Sequence, residues 1–462
     1  MTKKILLSIS LATIANSFVY ASELNLERIA VYKNKNTCKT TEIVSIQKAT
    51  KRLALSCSDK GIVEVLSIEE PASPTLLNSF SVSSQNSISS VAFHPTENII
   101  AAAILNNDPF ANGIIQLHDA STGKIINTQD SGVHPDGLAF SPNGKYLIVA
   151  NEGEAYRYKN GTYESPKGSI TFIKIENDIN FAAKQIPLDN YSNVEGMLHK
   201  KHKRSFERVV IGGNNNEELE IPVKNNSPEN TEPEFVAFSP DSSKAYVSLQ
   251  ENNGVLVINT RNATVENIFG LGTTKHLADT KDNNKVQFKN KLIALREPDG
   301  ICISPDGKYL LTADEGDTNP KASKTLGKKP KGGGRTLSIF DAISGRFIAD
   351  TANQLDKMAH AAGLYPDGRS DNKGSEPENV VSFEIEGILY AAVGLERANA
   401  IALVSLENPA QPKVVSVEGV DPKAGKEGQY APEGLAYLKS DDRHYIFSAN
   451  EKSGTMTVME VK

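Results

Sequence analysis

The sequence predicts an all-β protein: a seven-bladed β-propeller of four-stranded antiparallel blades, closed by an N-terminal strand. Three observations carry the prediction. One pattern recurs along the chain, each copy pivots on a reverse turn between two apolar strands, and helical periodicity is almost absent. Repeated antiparallel units of this kind are what a propeller blade needs.

From the N-terminus, Lys3 and Lys4 followed by the apolar run from Ile5 to Val19 read as a secretory leader, with cleavage expected after Ala21. Residues 22–462 then form a single propeller domain. The first strand, LERIAVY, supplies the missing fourth strand of a last blade that has only three at the C-terminus. Cys38 precedes one expected strand and Cys57 ends the next, so antiparallel pairing brings them near each other. Whether they bridge depends on register. Cys302 lies in an apolar strand and reads as a buried small hydrophobe.

The copies follow in order. TTEIVSIQKATKRLALSCSDKG starts at Thr40 and SISSVAFHPTENIIAAAILNND at Ser87. HPDGLAFSPNGKYLIVANEGE starts at His134, EPEFVAFSPDSSKAYVSLQEN at Glu232 and EPDGICISPDGKYLLTADEGD at Glu297. EPENVVSFEIEGILYAAVGLER starts at Glu376 and APEGLAYLKSDDRHYIFSANEK at Ala431. In the clearest copies Pro-Asn-Gly or Pro-Asp-Gly reverses the chain, because Pro fixes φ and Gly accepts positive φ. Third strands such as GSITFIKI, GVLVINT and RTLSIFD follow a variable loop, and fourth strands such as PKVVSVE close the unit. The long interval before Glu232 leaves eight blades as the alternative count.

A net charge of -6 and a pI of about 5.9 argue against general nucleic-acid binding. Beyond the leader no apolar run approaches membrane-spanning length. The mature chain is expected to be soluble, monomeric, and periplasmic or extracellular. There is no GxSxG elbow, HExxH helix or Walker loop, and no catalytic residue identifies itself.

Taken together, EIVSI with VEVLSIEEPASPT, the HPDG and ANEGE pair, EPEFVAFSPD with SLQENN, and the EPDG and ADEGD pair resemble the choice-of-anchor I domain. Members are often labelled mesenchyme-specific cell-surface glycoprotein-like or atypical alkaline phosphatase-like. More broadly the blades are similar to YVTN-type and quinoprotein-like propellers. The resemblance spans the mature chain and implies a propeller fold and export. The family is named for assorted C-terminal surface anchors, whereas the C-terminus here, TMTVMEVK, carries no sorting tail.

In a propeller the residues before each first strand and those after each second strand share one rim. Both positions are acidic here. Before the first strands lie Asp136, Glu232, Glu234, Glu297, Asp299, Glu376, Glu378 and Glu433. After the second strands lie Glu152, Glu154, Glu251, Asp314, Glu315, Asp317, Glu396 and Glu451. The metal-ligand candidates are Asp136, Glu232, Glu234, Glu297, Asp299, Asp314, Glu315, Glu376, Glu378 and Glu433, because converging carboxylates repel and a hard divalent cation such as Ca²⁺ relieves the repulsion. The competing reading is structural: carboxylates beside Pro and Gly cap turns. Asn151 and Asn450 read as turn holders, and His134 is the histidine placed at the rim.

The long loops open on the same face: residues 155–167, 191–231, 319–335 and 353–374. Two are basic, HKKHKRSFER from His199 and KASKTLGKKPKGGGR from Lys321. The function expected first is a binding or scaffold protein recognising a ligand or partner on this loop-rich face. A metal-dependent phosphoesterase is the second expectation, and a quinone-dependent dehydrogenase rests on fold analogy alone.

Overall fold

The structure is a computed structural model. It describes residues 24–82, 87–154, 166–177, 180–188, 231–316, 333–424 and 428–462, with short strands at 156–157, 163–164, 197–201 and 207–211. The leader expected over 1–21 lies outside the described residues. So do Asp317, residues 317–332 of one basic loop and 202–206 of the other.

Seven four-stranded antiparallel sheets make seven blades, which settles the count that the long interval before Glu232 left open. The first strands are Val44–Gln47, Ile88–Phe93, Pro135–Phe140, Pro233–Phe238, Ile301–Ile303, Pro377–Ile385 and Pro432–Ser440, for blades 1 to 7. Each packs against the first strands of both neighbouring blades, and the seventh returns to the first, so the ring closes about a central axis.

The apolar residues form one cluster at every seam between blades. Leu53, Leu55 and Leu66 of blade 1 meet Phe447, Met456 and Val458 of blade 7. Ala54, Val63 and Val65 of blade 1 meet Val91, Ile100 and Ala102 of blade 2 on the opposite face. Successive side chains of a strand point to opposite faces. A strand sandwiched between two seams is therefore apolar throughout, which is why IIAAAI at Ile99–Ile104 is wholly buried.

The Pro-Asn-Gly and Pro-Asp-Gly turns form as expected. Gly144 has φ +71° and Gly307 φ +74°, and each amide donates to the serine carbonyl three residues back at 2.8 Å. Leu26–Lys33 pairs antiparallel with Thr455–Val461 and completes blade 7. The two chain ends are laced by Asn25 N–H to Lys462 O (2.7 Å) and Lys462 N–H to Asn25 O (2.9 Å). Cys38 and Cys57 form a disulfide with a Cα separation of 5.6 Å. Cys302 is a free thiol packed against the core between blades 5 and 6, and burial pushes it up to about 12. Among the described residues no helix is long and apolar enough to cross a membrane.

Candidate binding site at the channel mouth

The site begins with a local irregularity repeated from blade to blade. In blades 3, 4, 6 and 7 the register of the first strand shifts just after its proline, between Pro135 and Leu138, Pro233 and Val236, Pro377 and Val380, and Pro432 and Leu435. The acidic residue after each proline falls in that bulge, outside the regular ladder. Bulges re-aim side chains, and here they release one carboxylate per blade from the sheet.

The next residue is a glycine in three blades, for a steric reason. A Cβ on Gly137 would lie 2.2 Å from Glu234 O of blade 4. One on Gly434 would lie 2.5 Å from Glu42 O of blade 1, and one on Gly300 2.6 Å from Glu378 O of blade 6. The missing side chain lets Gly300 N–H and Gly434 N–H donate to those carbonyls, at 2.7 and 2.8 Å. Glycine thus draws adjacent first strands together where the carboxylates sit.

The residue before the proline adopts positive φ in four blades: His134 (50°), Glu297 (42°), Glu376 (55°) and Ala431 (53°). This is a strained state for a residue preceding proline. It turns the carbonyl toward the end of the second strand. Glu152 N–H donates to His134 O at 2.8 Å, Glu396 N–H to Glu376 O at 2.8 Å and Glu451 N–H to Ala431 O at 2.7 Å. These bonds fasten the two acidic positions of a blade to each other on one rim.

The result is a ring of mutually interacting carboxyl groups. Burial pushes Asp136 up to about 7 and Asp299 to about 6. Glu234, Glu378 and Glu433 are raised well above the usual carboxylate range by burial first and next by the charges of neighbouring carboxylates, among which Asp299 is common to all three. Glu42 of blade 1 belongs to the same ring. Burial raises it to about 7, and Asp136 and Glu451 are among its charged neighbours. The sequence reading missed Glu42, although TTEIVSI places it at the Asp136 position; the proline that marks the motif elsewhere is Thr41 there. In blade 2 that position is Ser89, whose hydroxyl donates to Pro135 O at 2.6 Å. Six of the seven blades thus contribute a carboxylate.

Three tighter groups stand within this rim. Asp299, Glu378 and Glu433 of blades 5, 6 and 7 each place a carboxylate oxygen within 4.8 Å of the others. Glu315, Glu376, Glu378 and Glu396 form a second group with the same spacing. Here the protein supplies its own cations. Lys373 bonds Glu315, Arg369 and Arg397 bond the two oxygens of Glu376, and Arg397 and Lys452 bond Glu396 at 2.7 and 2.6 Å. Burial opposes ionisation of Glu396, yet a hydrogen bond from Glu378 and the Arg397 and Lys452 charges hold it at about 2. His134 forms the third group, with Nδ1 3.6 Å from Glu152 Oε2 and 3.3 Å from Glu154 Oε2.

The remaining predicted residues lie apart from these groups. Asp314 is fully buried, accepts hydrogen bonds from the hydroxyls of Thr312, Thr336 and Ser338, and is pushed up to about 6 by burial. Asn450 has the same place in blade 7, with Ser448, Thr455 and Thr457 around it, and Asn151 in blade 3. In these three blades the polar knot ties the end of the second strand to the third. Glu232 and Glu297 are buried, with backbone amides held by the side-chain oxygens of Asn252 (3.0 Å) and Asn253 (2.9 Å). Of Glu251 the structure describes the backbone only.

Two insertions frame the rim at blades 5 and 6: a hairpin, Thr273–Ala278 with Asn290–Leu295, and helix α1, Gln354–Ala361. Fully buried Arg335 joins them, donating to Asp279 O (2.9 Å), Ser370 O (2.8 Å) and Asn372 O (2.9 Å), with Asp356 3.5 Å away. The first strands of blades 1 to 4 also line a cavity of about 350 Å³ whose walls include Ile43, Ile46, Phe93, Phe140 and Phe235.

A family model described as the choice-of-anchor I domain matches residues 42–331 and 320–409. No curated protein matches the sequence. Among solved structures, hydrazine synthase of Kuenenia stuttgartiensis aligns over 91% of this chain and 96% of its own, with 13% identity and a TM-score of 0.55. A functionally unknown protein from Desulfotomaculum acetoxidans aligns over 87% of this chain and 90% of its own, with 14% identity and a TM-score of 0.49. At such identities the likeness to hydrazine synthase is one of fold alone.

Proposed function

The chain belongs to the choice-of-anchor I domain family, and on that premise we propose that it is an exported binding or scaffold protein that receives a positively charged group of its ligand at the acidic mouth of its channel. One observation carries the reading. The closed ring of first strands gathers carboxylates of six blades, Glu42, Asp136, Glu234, Asp299, Glu378 and Glu433, into one electrostatic unit. A low-dielectric wall around like charges focuses their field, which attracts a cationic partner and speeds its approach. The loops and the Arg335-stapled insertions around the rim supply surface for shape recognition. The Cys38–Cys57 disulfide suits the oxidising compartment that an exported protein meets.

The test uses a fluorescein-labelled oligolysine peptide as the probe and anisotropy as the readout. Saturable, salt-sensitive binding is expected. The triple variant Glu234→Gln, Glu378→Gln, Glu433→Gln should weaken it at least tenfold. A control removes the same charge from exposed positions on loops at the opposite rim, Glu69→Gln, Glu70→Gln, Asp442→Asn, and should leave it unchanged. Equal weakening in both variants would show that only net charge matters and would end this reading.

A further inference from the structure

Resting on the reading of the acidic mouth as a binding site, we infer that Asp299, Glu378 and Glu433 form the seat of one Ca²⁺ ion, with Glu234 as a fourth carboxylate facing it. The ligand set is all hard oxygen, with no nitrogen or sulfur donor in the group. The three carboxylates bring oxygens within 4.8 Å of one another, close enough for one ion with bonds of about 2.4 Å to reach all three.

An independent observation points the same way. Glu234 is only 8% exposed, and among the described residues it meets no hydrogen-bond donor and no cation. Its charged neighbours are Asp299, Glu152, Asp136 and Glu315, all of its own sign. Withdrawing an unpaired charge from water costs several kcal/mol unless something neutralises it. The adjoining group shows how this chain neutralises carboxylates when it uses its own side chains: Lys373, Arg369, Arg397 and Lys452 bond Glu315, Glu376 and Glu396 directly. None of those four cations bonds Asp299, Glu433 or Glu234 among the described contacts. Lys373 and Arg397 reach the first group only through space, by the charge of Lys373 on Asp299 and of both on the shared Glu378, and the rest of the compensation falls to an ion from solution. Since the three ligands come from blades 5, 6 and 7, the bound ion would also bridge two seams of the ring.

The experiment titrates CaCl₂ into the EDTA-stripped, dialysed mature chain, by calorimetry and by thermal melting. One ion per chain and a melting temperature that climbs with Ca²⁺ are expected. Asp299→Asn with Glu433→Gln should weaken Ca²⁺ binding at least 100-fold. In EDTA the same variant should melt at or above the parent temperature, because it has lost repulsion, which separates loss of the seat from misfolding. Should it melt lower, Glu378→Gln repeats the comparison. Unaltered Ca²⁺ binding in these variants would place the ion elsewhere and overturn the seat. No stoichiometric Ca²⁺ binding with oligolysine binding intact would overturn the seat and leave the acidic mouth standing; loss of both would overturn both.

Discussion

At the scale of single residues, the molecule holds two kinds of buried carboxylate that titrate in opposite directions. Asp136 and Glu42 are raised by burial to about 7, from ordinary values of 3.8 and 4.5. Over that span the folded state binds protons more tightly than the unfolded chain. Their contribution to stability is therefore complete below the ordinary carboxylate range and is lost as pH rises through about 7. Glu396, held at about 2, does the reverse: its contribution is present above 4.5 and is lost as pH falls through 2. The metal-free protein is accordingly expected to melt at a lower temperature at pH 8 than at pH 5, with a second loss at strongly acidic pH. A melting temperature that climbs steadily from pH 5 to 8 in EDTA would contradict this. The acidic positions themselves were legible, because X-Pro-acid recurs in register. Which of them the protein neutralises was not: Glu376 and Glu378 stand two residues apart in one motif, yet Arg369 and Arg397 bond only the first. Arg369 lies outside the repeat and Arg397 is the last residue of its copy, so no spacing rule announces which carboxylate they bond.

At the scale of elements, two devices hold the mouth in shape. The first is the glycine that follows the acidic residue. Gly434→Ala would drive a Cβ to 2.5 Å from Glu42 O and disturb a 2.8 Å hydrogen bond between blades 7 and 1. Overpacking of this kind costs about 1–3 kcal/mol, which urea denaturation should detect; an unaffected midpoint would mean that the seam relaxes freely. The second is the Cys38–Cys57 bridge, which closes a loop of 19 residues. Replacing both cysteines with serine should cost about 3 kcal/mol by the same measurement. The sequence brought the two cysteines near each other through antiparallel pairing and left the register open; the structure closes it at 5.6 Å between α-carbons. The glycines were legible as part of the repeat but not in their role, since the atom each makes room for belongs to another blade. Helix α1 was not anticipated within 353–374. It has eight residues, of which only Leu355, Asp356 and Ala359 are buried, too short a stripe to stand out as a period.

At the scale of the whole molecule, closure turns seven modest units into one site. The repeats made the blades legible, and LERIAVY as the closing strand followed from counting three strands where four were needed. The hairpin Thr273–Ala278 with Asn290–Leu295 was not legible, because it is inserted between blades 4 and 5 without a repeat to frame it. Closure also rests on Leu26–Lys33. A chain beginning at residue 34 would expose Thr455–Val461 as an open edge next to the apolar seam between blades 6 and 7. Unpaired edges recruit other strands, so size-exclusion chromatography should find this truncation in oligomers or aggregates; a stable monomer would argue that three strands suffice.

The most direct test of a shared, electrostatically coupled mouth is the number of protons released when Ca²⁺ binds, measured by calorimetry at pH 6.5 in buffers of different ionisation enthalpy. Carboxyl groups raised by burial and mutual repulsion hold protons at that pH and must surrender them to an ion. The account predicts net proton release per ion at pH 6.5 that declines toward pH 8.5. Binding without proton release at either pH would mean that the carboxylates of the ring do not act as one site.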